Sequence, residues 1–195
     1  MIIGLTGGKG CGKTTIARVL RDKYGFTILS FATPLKEMLE VMGVPDKYIY
    51  DVDHKELPVP GFGKSARFMM QTLGTEWGRG LVSENIWVKA LETKLSDIQG
   101  DVVLDDVRFP NECALVHSKK GKVVRVNRPG LSDDLHVSET GVFDQDVDGE
   151  IDNLSNYYSD LENSVTHYME IGQYGTIHNT KLKSFPCEQG KAMGT

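Results

Sequence analysis

The segment formed by residues 7–14, which reads GGKGCGKT, constrains the fold of this chain more than any other feature. It matches the pattern Gly-x4-Gly-Lys-Thr, and a short apolar run, IIGLT at residues 2–6, precedes it. An apolar run that ends in glycines predicts a buried strand, and this pattern after a strand is typical of a phosphate-binding loop (P-loop) that opens a helix. The start of the chain therefore predicts an α/β fold.

The residue types in this loop suit phosphate chemistry. Glycines let backbone N–H groups turn inward around phosphate oxygens, and the N-terminus of the following helix adds its dipole. We expect Lys13 to reach the β- and γ-phosphates of ATP, and the Thr14 hydroxyl to coordinate Mg²⁺. The alternative is a glycine-rich turn without a ligand, but motif and context together favour ATP. The expected ATP-binding residues are Gly8, Gly10, Cys11, Gly12, Lys13, Thr14 and Thr15.

Apolar periodicity in the rest of the chain predicts strands that alternate with helices. The further strands are expected at residues 26–31, 101–107, 122–127 and 150–153. The helices are expected at residues 13–24, 33–42, 65–80, 85–99, 110–120 and 154–169. Such alternation predicts the P-loop NTPase fold, an α/β architecture with about five parallel strands and helices on both faces.

Charge and composition limit the possible partners. The formal net charge of −5, with 39% hydrophobic and 25% charged residues, indicates a soluble globular chain without a global basic field, so no nucleic acid polymer is expected. No apolar stretch approaches the roughly 18–20 residues of a membrane span, so no membrane partner is expected. The three cysteines lack the spacing of a disulfide framework or zinc site, which favours a reducing cytoplasm.

A second group of charged residues lies in VVLDDVRFPNE, residues 102–112. Ligands of parallel sheets gather at the carboxyl ends of the strands, so a carboxylate here could hold Mg²⁺ directly or through water. Arg108 could bind a phosphate through two hydrogen bonds. We favour Asp106 over Asp105, because Asp106, Arg108 and Pro110 alternate in phase, but the choice between the two carboxylates stays open. A surface ion pair is the alternative.

Four segments, the last of them in two parts, together resemble the deoxynucleoside monophosphate kinase family of tailed bacteriophages. They occur in the family's order over roughly residues 1–170, and QTLGTEWGR and DVRFPNE are the most specific parts. The segments are SFATPLKEM at 30–38, RFMMQTLGTEWGR at 67–79 with IWV at 86–88, DDVRFPNE at 105–112, HVSE at 136–139 and IDN at 151–153.

This resemblance implies transfer of the γ-phosphoryl group of ATP to a deoxynucleoside monophosphate (dNMP), with Mg²⁺ as cofactor. The implied catalytic residues are Lys13, Asp106, Arg108 and Arg128, and the implied metal ligands are Thr14 and Asp106. The implied acceptor-binding residues are Lys36, Arg67, Gln71, Gly74, Thr75, Trp87, Asp106, Arg108 and Glu112. The chain departs from the family at Thr33, where an aspartate is common, and at Cys11 and Thr14, where many members carry Ser and Asp.

The chemistry of the implied reaction agrees with these residue types. The attacking phosphate oxygen is already ionised near neutral pH, so positioning and neutralisation of charge are needed rather than a strong general base. Arg67 and Gln71 are four residues apart and share a helical face. Trp87 could stack on a base or pack with neighbouring leucines, and Arg79 could simply be solvated. Arg128 is a candidate lid arginine.

Two irregular stretches, residues 44–63 and 128–149, interrupt the alternation of strands and helices. We therefore expect a kinase domain at 1–171, with an acceptor-binding insertion at about 33–99 and a lid at about 128–149 in which His136 and Glu139 fix the conformation. Residues 172–195 predict a tail, either a small hairpin or flexible.

Two other functions are alternatives to dNMP phosphorylation. Another small-molecule kinase, such as a dephospho-coenzyme A kinase, would share the P-loop and the strand-end aspartate but would not explain QTLGTEWGR. A nucleotide-dependent switch is less favoured, because no Asn-Lys-x-Asp motif occurs. A homodimer is a reasonable expectation from the family resemblance, and a phage-encoded enzyme would work in the host cytoplasm.

Overall fold

The computed structural model of the protein describes residues 1–130, 142–154 and 158–174. Five parallel strands form one sheet in the order β2-β3-β1-β4-β5, which confirms the predicted fold class. β1 lies at the centre, where Ile3 pairs with Val103 of β3 and Gly4 with Val123 of β4. The strands are β1 (Ile2–Thr6), β2 (Thr27–Leu29), β3 (Val102–Leu104), β4 (Lys122–Asn127) and β5 (Gly149–Asp152).

In the described part of the chain, α-helices follow β1, β2, β3 and β5. A π-helix follows α4 directly at Thr72–Val82, and a single 3₁₀ turn occupies Asp144–Asp146 before β5. The α-helices are α1 (Lys13–Tyr24), α2 (Thr33–Val41), α3 (Asp46–Tyr50), α4 (Ala66–Gln71), α5 (Ile86–Ser96), α6 (Pro110–Ser118) and α7 (Tyr158–Tyr174).

Both faces of the sheet are covered by helices. Successive residues of each strand point to opposite faces, so the strands contribute to two separate cores. Val103, Val124 and Val126 face one core, which α1 and α7 complete with apolar residues at helical spacing such as Ile16 and Leu20. The strand positions next to these, Val102, Leu104 and Val123, face the second core. Helices α5 and α6 complete this core with Trp87, Leu91, Leu115 and Val116. This arrangement is the expected one for parallel strands.

The segment between β2 and β3 contains its own small core. Leu39 of α2, Val59 of the following loop and Ala66 of α4 are fully or almost fully buried together. These contacts fix α2, α3 and α4 against one another beside the carboxyl end of the sheet. The short helix α3 lies within the stretch 44–63, which the sequence pattern had predicted to be irregular.

Two helices differ most from the sequence prediction, whereas α2, α5 and α6 end one to three residues earlier than expected. The helix expected at 65–80 is α4 continued by the π-helix, and α7 begins at Tyr158 rather than at Leu154 and continues to Tyr174. The rest of the expected tail, residues 175–195, lies outside the described residues. In the described part of the chain, no helix combines the length and the apolar character needed to cross a membrane.

Candidate active site

The loop between β1 and α1 depends on glycine at both of its ends. Gly7 and Gly12 adopt φ angles of 134° and 113°, which residues with a side chain rarely adopt. A Cβ atom on Gly7 would lie 2.5 Å from the carbonyl oxygen of Val126, and one on Gly12 would lie 2.8 Å from Nδ2 of Asn153. The backbone of this loop therefore packs closely against the ends of β4 and β5.

Side chains of the loop and of β5's C-terminal end fix its shape. The ammonium group of Lys13 donates to the carbonyl oxygens of Gly7 at 2.6 Å and Gly8 at 2.8 Å. Nδ2 of the buried Asn153 donates to the carbonyl oxygen of Cys11 at 2.8 Å. The sequence had not assigned Asn153 to this loop, and its spacing from residue 11 gives no signal for such a contact.

The remaining residues expected to bind ATP line the first turn of α1 and the loop itself. Thr14 is exposed, Thr15 is half-buried, and Gly8 and Gly10 are exposed. Cys11 is buried, so only its backbone is available to a ligand. The hydroxyl of Thr14 is thus accessible at the position where the sequence motif expects a metal contact.

Arg128, the first residue after β4, lies over the P-loop. Its Nη1 atom donates to the carbonyl oxygen of Gly10 at 3.3 Å. The structure therefore places the candidate lid arginine next to the phosphate-binding loop. His136 and Glu139, the other expected lid residues, lie outside the described residues.

Asp106 follows β3 and joins it to the start of α2. Its Oδ1 atom accepts from the backbone N–H of Phe31 at 2.8 Å, and Oδ2 accepts from the N–H of Ala32 at 2.9 Å and the hydroxyl of Ser30 at 2.5 Å. Both carboxylate oxygens are thus engaged in holding the β2–α2 junction. This is a positioning role that the sequence did not predict.

Asp105 is a largely buried carboxylate within electrostatic reach of two lysines. Burial and the neighbouring Asp106 carboxylate raise the pKa of Asp105 to about 6, while Lys36 and Lys13 oppose this rise. Lys36 is half-buried on α2, and its ammonium group lies 5.4 Å from the centroid of the Tyr50 ring. Both lysines favour the charged form of Asp105, so this carboxylate lies within electrostatic reach of the P-loop and of α2.

A cavity lies between α2, α4, the π-helix and the segment after β3. Eight of the nine residues expected to bind the acceptor line this cavity. The ninth, Lys36, is not among the lining residues. The eight are Arg67, Gln71, Gly74, Thr75, Trp87, Asp106, Arg108 and Glu112. Residues that are far apart in the sequence thus meet in one pocket, which apolar residues such as Phe31, Leu35 and Met70 complete.

The cavity and the P-loop are linked by one carboxylate. Oε1 of Glu56 lies 3.0 Å from the ammonium group of Lys9 in the P-loop and 3.4 Å from Nε of Arg67 in the cavity wall. Because two cations share one oxygen atom, the donor loop and the cavity are immediate neighbours.

Trp87 mainly packs against the π-helix. The side chain is 5% exposed, and its Nε1 atom donates to the carbonyl oxygen of Gly74 at 2.8 Å. A Cβ atom on Gly78 would lie 2.4 Å from Cζ2 of the indole. Most of the ring surface therefore packs against the π-helix. The sequence had left two roles open for Trp87, packing and base stacking, and these contacts are packing contacts.

Arg79 and Glu112 form a buried ion pair in the cavity wall. Nη2 of Arg79 donates to Oε1 of Glu112 at 2.5 Å, and the guanidinium lies 3.8 Å from the centroid of the Phe109 ring. Burial and the Asp106 carboxylate raise the pKa of Glu112 to about 7, opposed by the N–H groups of Arg108 and Phe109 and by Arg79. Arg79, which the sequence allowed to be solvated, is instead part of the site.

The sheet order, the loop between the central strand and α1, and the adjoining cavity define a P-loop phosphotransferase, in which a donor loop faces an acceptor pocket. Residues 63–165 match the model of the family described as deoxynucleotide monophosphate kinase. The chain belongs to this family.

Two viral proteins are similar to the chain. A protein of Acanthamoeba polyphaga mimivirus titled "Putative deoxynucleotide monophosphate kinase" is 37% identical over 157 residues, covering 71% of this chain and 80% of its own length. The deoxynucleoside-5′-monophosphate kinase of Escherichia phage T5 is 32% identical over 167 residues, covering 80% of this chain and 65% of its own length.

Solved structures show a weaker similarity. Shikimate kinase from Aquifex aeolicus aligns with 90% of this chain and 99% of its own, at 13% identity and a TM-score of 0.49. Dephospho-CoA kinase from Campylobacter jejuni aligns with 87% and 96%, at 17% identity and a TM-score of 0.44. Scores of this size add nothing to the assignment, which rests on the sheet order and the sequence relatives.

Proposed function

We propose that the protein transfers the γ-phosphoryl group of ATP to the 5′-phosphate of a dNMP and releases ADP and the diphosphate. The observation that carries this proposal is the pairing of a P-loop with a cavity lined by eight expected acceptor residues. Glu56 joins the two parts through Lys9 and Arg67. The family membership supplies the class of acceptor.

The residues divide into a donor side and an acceptor side. Lys13 and Arg128, which both contact the P-loop, neutralise the phosphates of ATP, and Arg67 and Arg108 hold the phosphate of the acceptor. The attacking oxygen needs no general base, because it is already ionised. The barrier is lowered by positioning and by positive charge around the transferred group.

The residues at the donor side fit a magnesium ion. Mg²⁺ in phosphoryl-transfer sites typically keeps several waters and binds one or two protein ligands together with substrate phosphates, so a cage of three acidic or His/Cys ligands is not required. The described residues contain no such cage. When bound, the ion would neutralise developing negative charge on the phosphates.

Thr14 and Asp105 are the residues that we propose hold the ion, directly or through water. Thr14 is exposed at the start of α1, and the charge of Lys13 favours the ionised form of Asp105. We assign Asp106 a positioning role, because both of its oxygens accept hydrogen bonds from the β2–α2 junction. Asp106 thereby places Phe31 and Ala32, which line the acceptor cavity.

Family membership favours the dNMP as acceptor over dephospho-coenzyme A and over a nucleotide switch. The experiment is an ADP-release assay with ATP and Mg²⁺ against a panel of deoxynucleotides, ribonucleotides, dephospho-coenzyme A and shikimate. We expect at least one dNMP to stimulate ADP release far above the ATP-only background. A panel in which only a different acceptor stimulates release would contradict the proposal. Homodimer formation and a place in the host cytoplasm stay predictions.

A further inference from the structure

A group of four cations, which we call the basic cluster, lies between the P-loop and the acceptor cavity. It consists of Lys9 of the P-loop, Lys36 of α2, Lys55 of the loop after α3 and Arg67 of α4. The whole chain carries a net charge of −5, so four neighbouring cations are a local concentration that needs a cause. Glu56 contacts Lys9 and Arg67 and offsets part of this charge. The remaining like charges repel one another, and a bound anion lowers this cost.

Lys55 is the member of the basic cluster that neither the sequence motifs nor the family resemblance singles out. Its side chain is half-buried, and within the described ranges its ammonium group has no hydrogen bond and no ion pair. Arg67 and Lys9, in contrast, share the carboxylate of Glu56. A half-buried lysine within electrostatic reach of other cations is suited to receive an anion from outside the chain.

The backbone places Lys55 on the acceptor side of the basic cluster. The N–H of Arg67 donates to the carbonyl oxygen of Lys55 at 3.1 Å, so the loop after α3 is fastened to the first turn of α4 at this point. Arg67 itself lines the acceptor cavity. Of the anions in the proposed reaction, the 5′-phosphate of the acceptor is the one expected in this cavity.

We propose that Lys55 binds the 5′-phosphate of the acceptor nucleotide together with Arg67. This inference rests on the proposed function and adds to it a residue that selects a phosphorylated acceptor over the corresponding nucleoside. Lysine is suited to this role because its ammonium group is a point charge with three donors, which can follow the phosphate as it reacts.

The ionisation of Lys55 provides a signature of this role. Burial and the charges of Arg67, Lys9 and Lys36 lower the pKa of Lys55, and only Glu56 opposes them. As the pH rises, Lys55 therefore loses its proton earlier than an ordinary lysine would, and acceptor binding weakens. A bound phosphate favours the charged form, so binding at alkaline pH takes up protons.

The test compares three variants, Lys55→Gln, Lys55→Arg and Lys64→Gln. Glutamine removes the charge, arginine keeps it without titrating, and Lys64 is an exposed lysine of the same loop that serves as the matched control. We expect Lys55→Gln to raise the KM for the dNMP by about tenfold or more, the effect of losing one charged hydrogen bond. The KM for ATP should change little, and Lys64→Gln should behave as the wild type.

Two further readouts separate phosphate binding from a structural role. Calorimetric titration should show weaker binding of the dNMP to Lys55→Gln but unchanged binding of the deoxynucleoside, which lacks the phosphate. In the wild type, the KM for the dNMP should rise as the pH increases from about 7 to about 10, and Lys55→Arg should flatten this rise. Thermal unfolding of each variant checks that the fold is intact.

The outcomes distinguish this inference from the proposed function. If no dNMP is phosphorylated by the wild type, both fail. If the wild type is active and Lys55→Gln has a normal KM for the dNMP, only the role of Lys55 is overturned. An increase confined to the KM for ATP would also overturn it, because Lys55 would then belong to the donor side.

Discussion

Nη2 of Arg79 lies 2.5 Å from Oε1 of Glu112, and the two side chains are only 10% and 3% exposed. Arg79 comes from the π-helix and Glu112 from the first turn of α6, so the pair joins the segment between β2 and β3 to the segment after β3. Oε2 of Glu112 also accepts from the N–H groups of Arg108 and Phe109, at 2.6 Å and 3.1 Å. The pair therefore braces the wall of the acceptor cavity.

Arg79→Met should strongly destabilise the protein. The substitution removes the charge that compensates a buried carboxylate, and breaking such a pair typically costs about 3–5 kcal/mol. Urea unfolding at pH 8 gives the change in the free energy of unfolding. The double variant Arg79→Met/Glu112→Gln is the control, because it removes both charges and should recover most of the loss. A single variant as stable as the wild type would show that the pair contributes nothing.

The stability of the protein should depend on pH through Glu112. Its pKa is raised to about 7 in the folded protein, from an ordinary value of 4.5, so the folded chain binds this proton more tightly than the unfolded chain. The contribution of Glu112 to the free energy of unfolding therefore falls as the pH rises from 4.5 to about 7.

Glu112→Gln should flatten this part of the pH profile, measured by urea unfolding at several pH values. Glu92→Gln, at an exposed position of α5, is the matched control and should leave the slope unchanged. A slope that survives in Glu112→Gln would assign the pH dependence to another group, of which Asp105 is the first to examine, because its pKa is also raised.

Asp105→Asn and Asp106→Asn should separate the two neighbouring carboxylates. Asparagine at position 106 offers one acceptor oxygen where two serve Ser30, Phe31 and Ala32, so we expect a loss of about 1–3 kcal/mol in the free energy of unfolding. Asparagine at position 105 removes a charge that burial disfavours, so stability should stay the same or rise while turnover falls. The reverse pattern in unfolding and ADP-release assays would assign the metal role to Asp106.

The P-loop and the sheet could be predicted from the sequence because their signals are local. The motif at residues 7–14 and the apolar strand at residues 2–6 need no tertiary information, and the alternation of strands and helices sets the parallel sheet. The acceptor residues followed from a family resemblance, and the cavity brings eight of them together.

Contacts between distant segments could not be predicted in this way. The ion pair of Arg79 with Glu112 spans 33 positions, and the bond from Ser30 to Asp106 spans 76. Periodicity reports only which face of an element is apolar, so it does not show which polar side chains meet. For the same reason the sequence favoured Asp106 as a metal ligand without showing that its oxygens hold the β2–α2 junction.

Lys13→Ala should abolish phosphoryl transfer while the fold survives. The ammonium group contacts carbonyl oxygens and the Cys11 thiol of its own loop, so its removal affects local contacts of the loop rather than the packing of the helices on the sheet. Loss of a charge that stabilises the transferred group should lower kcat by about two to three orders of magnitude. Lys89→Ala, at an exposed position of α5, is the control, and both variants should unfold at the temperature of the wild type. Near-normal turnover in Lys13→Ala would contradict the P-loop assignment.

Gly78→Ala should destabilise the protein and damage the acceptor cavity. A Cβ atom at this position would lie 2.4 Å from Cζ2 of Trp87 and 2.8 Å from the carbonyl oxygen of Leu73, so the indole must move. Overpacking of this kind typically costs about 1–3 kcal/mol. Because Trp87 also lines the cavity, the KM for the dNMP should rise with the loss of stability.

Gly80→Ala is the matched control for Gly78→Ala, two residues further along the same π-helix. Its nearest neighbour would be the carbonyl oxygen of Thr75 at 3.5 Å, an ordinary contact, and Gly80 is exposed. Because alanine restricts the unfolded chain more than glycine does, Gly80→Ala should be neutral or stabilise the protein by up to about 1 kcal/mol. Equal effects of the two substitutions on thermal unfolding would show that the contact with Trp87 is not what requires glycine at position 78.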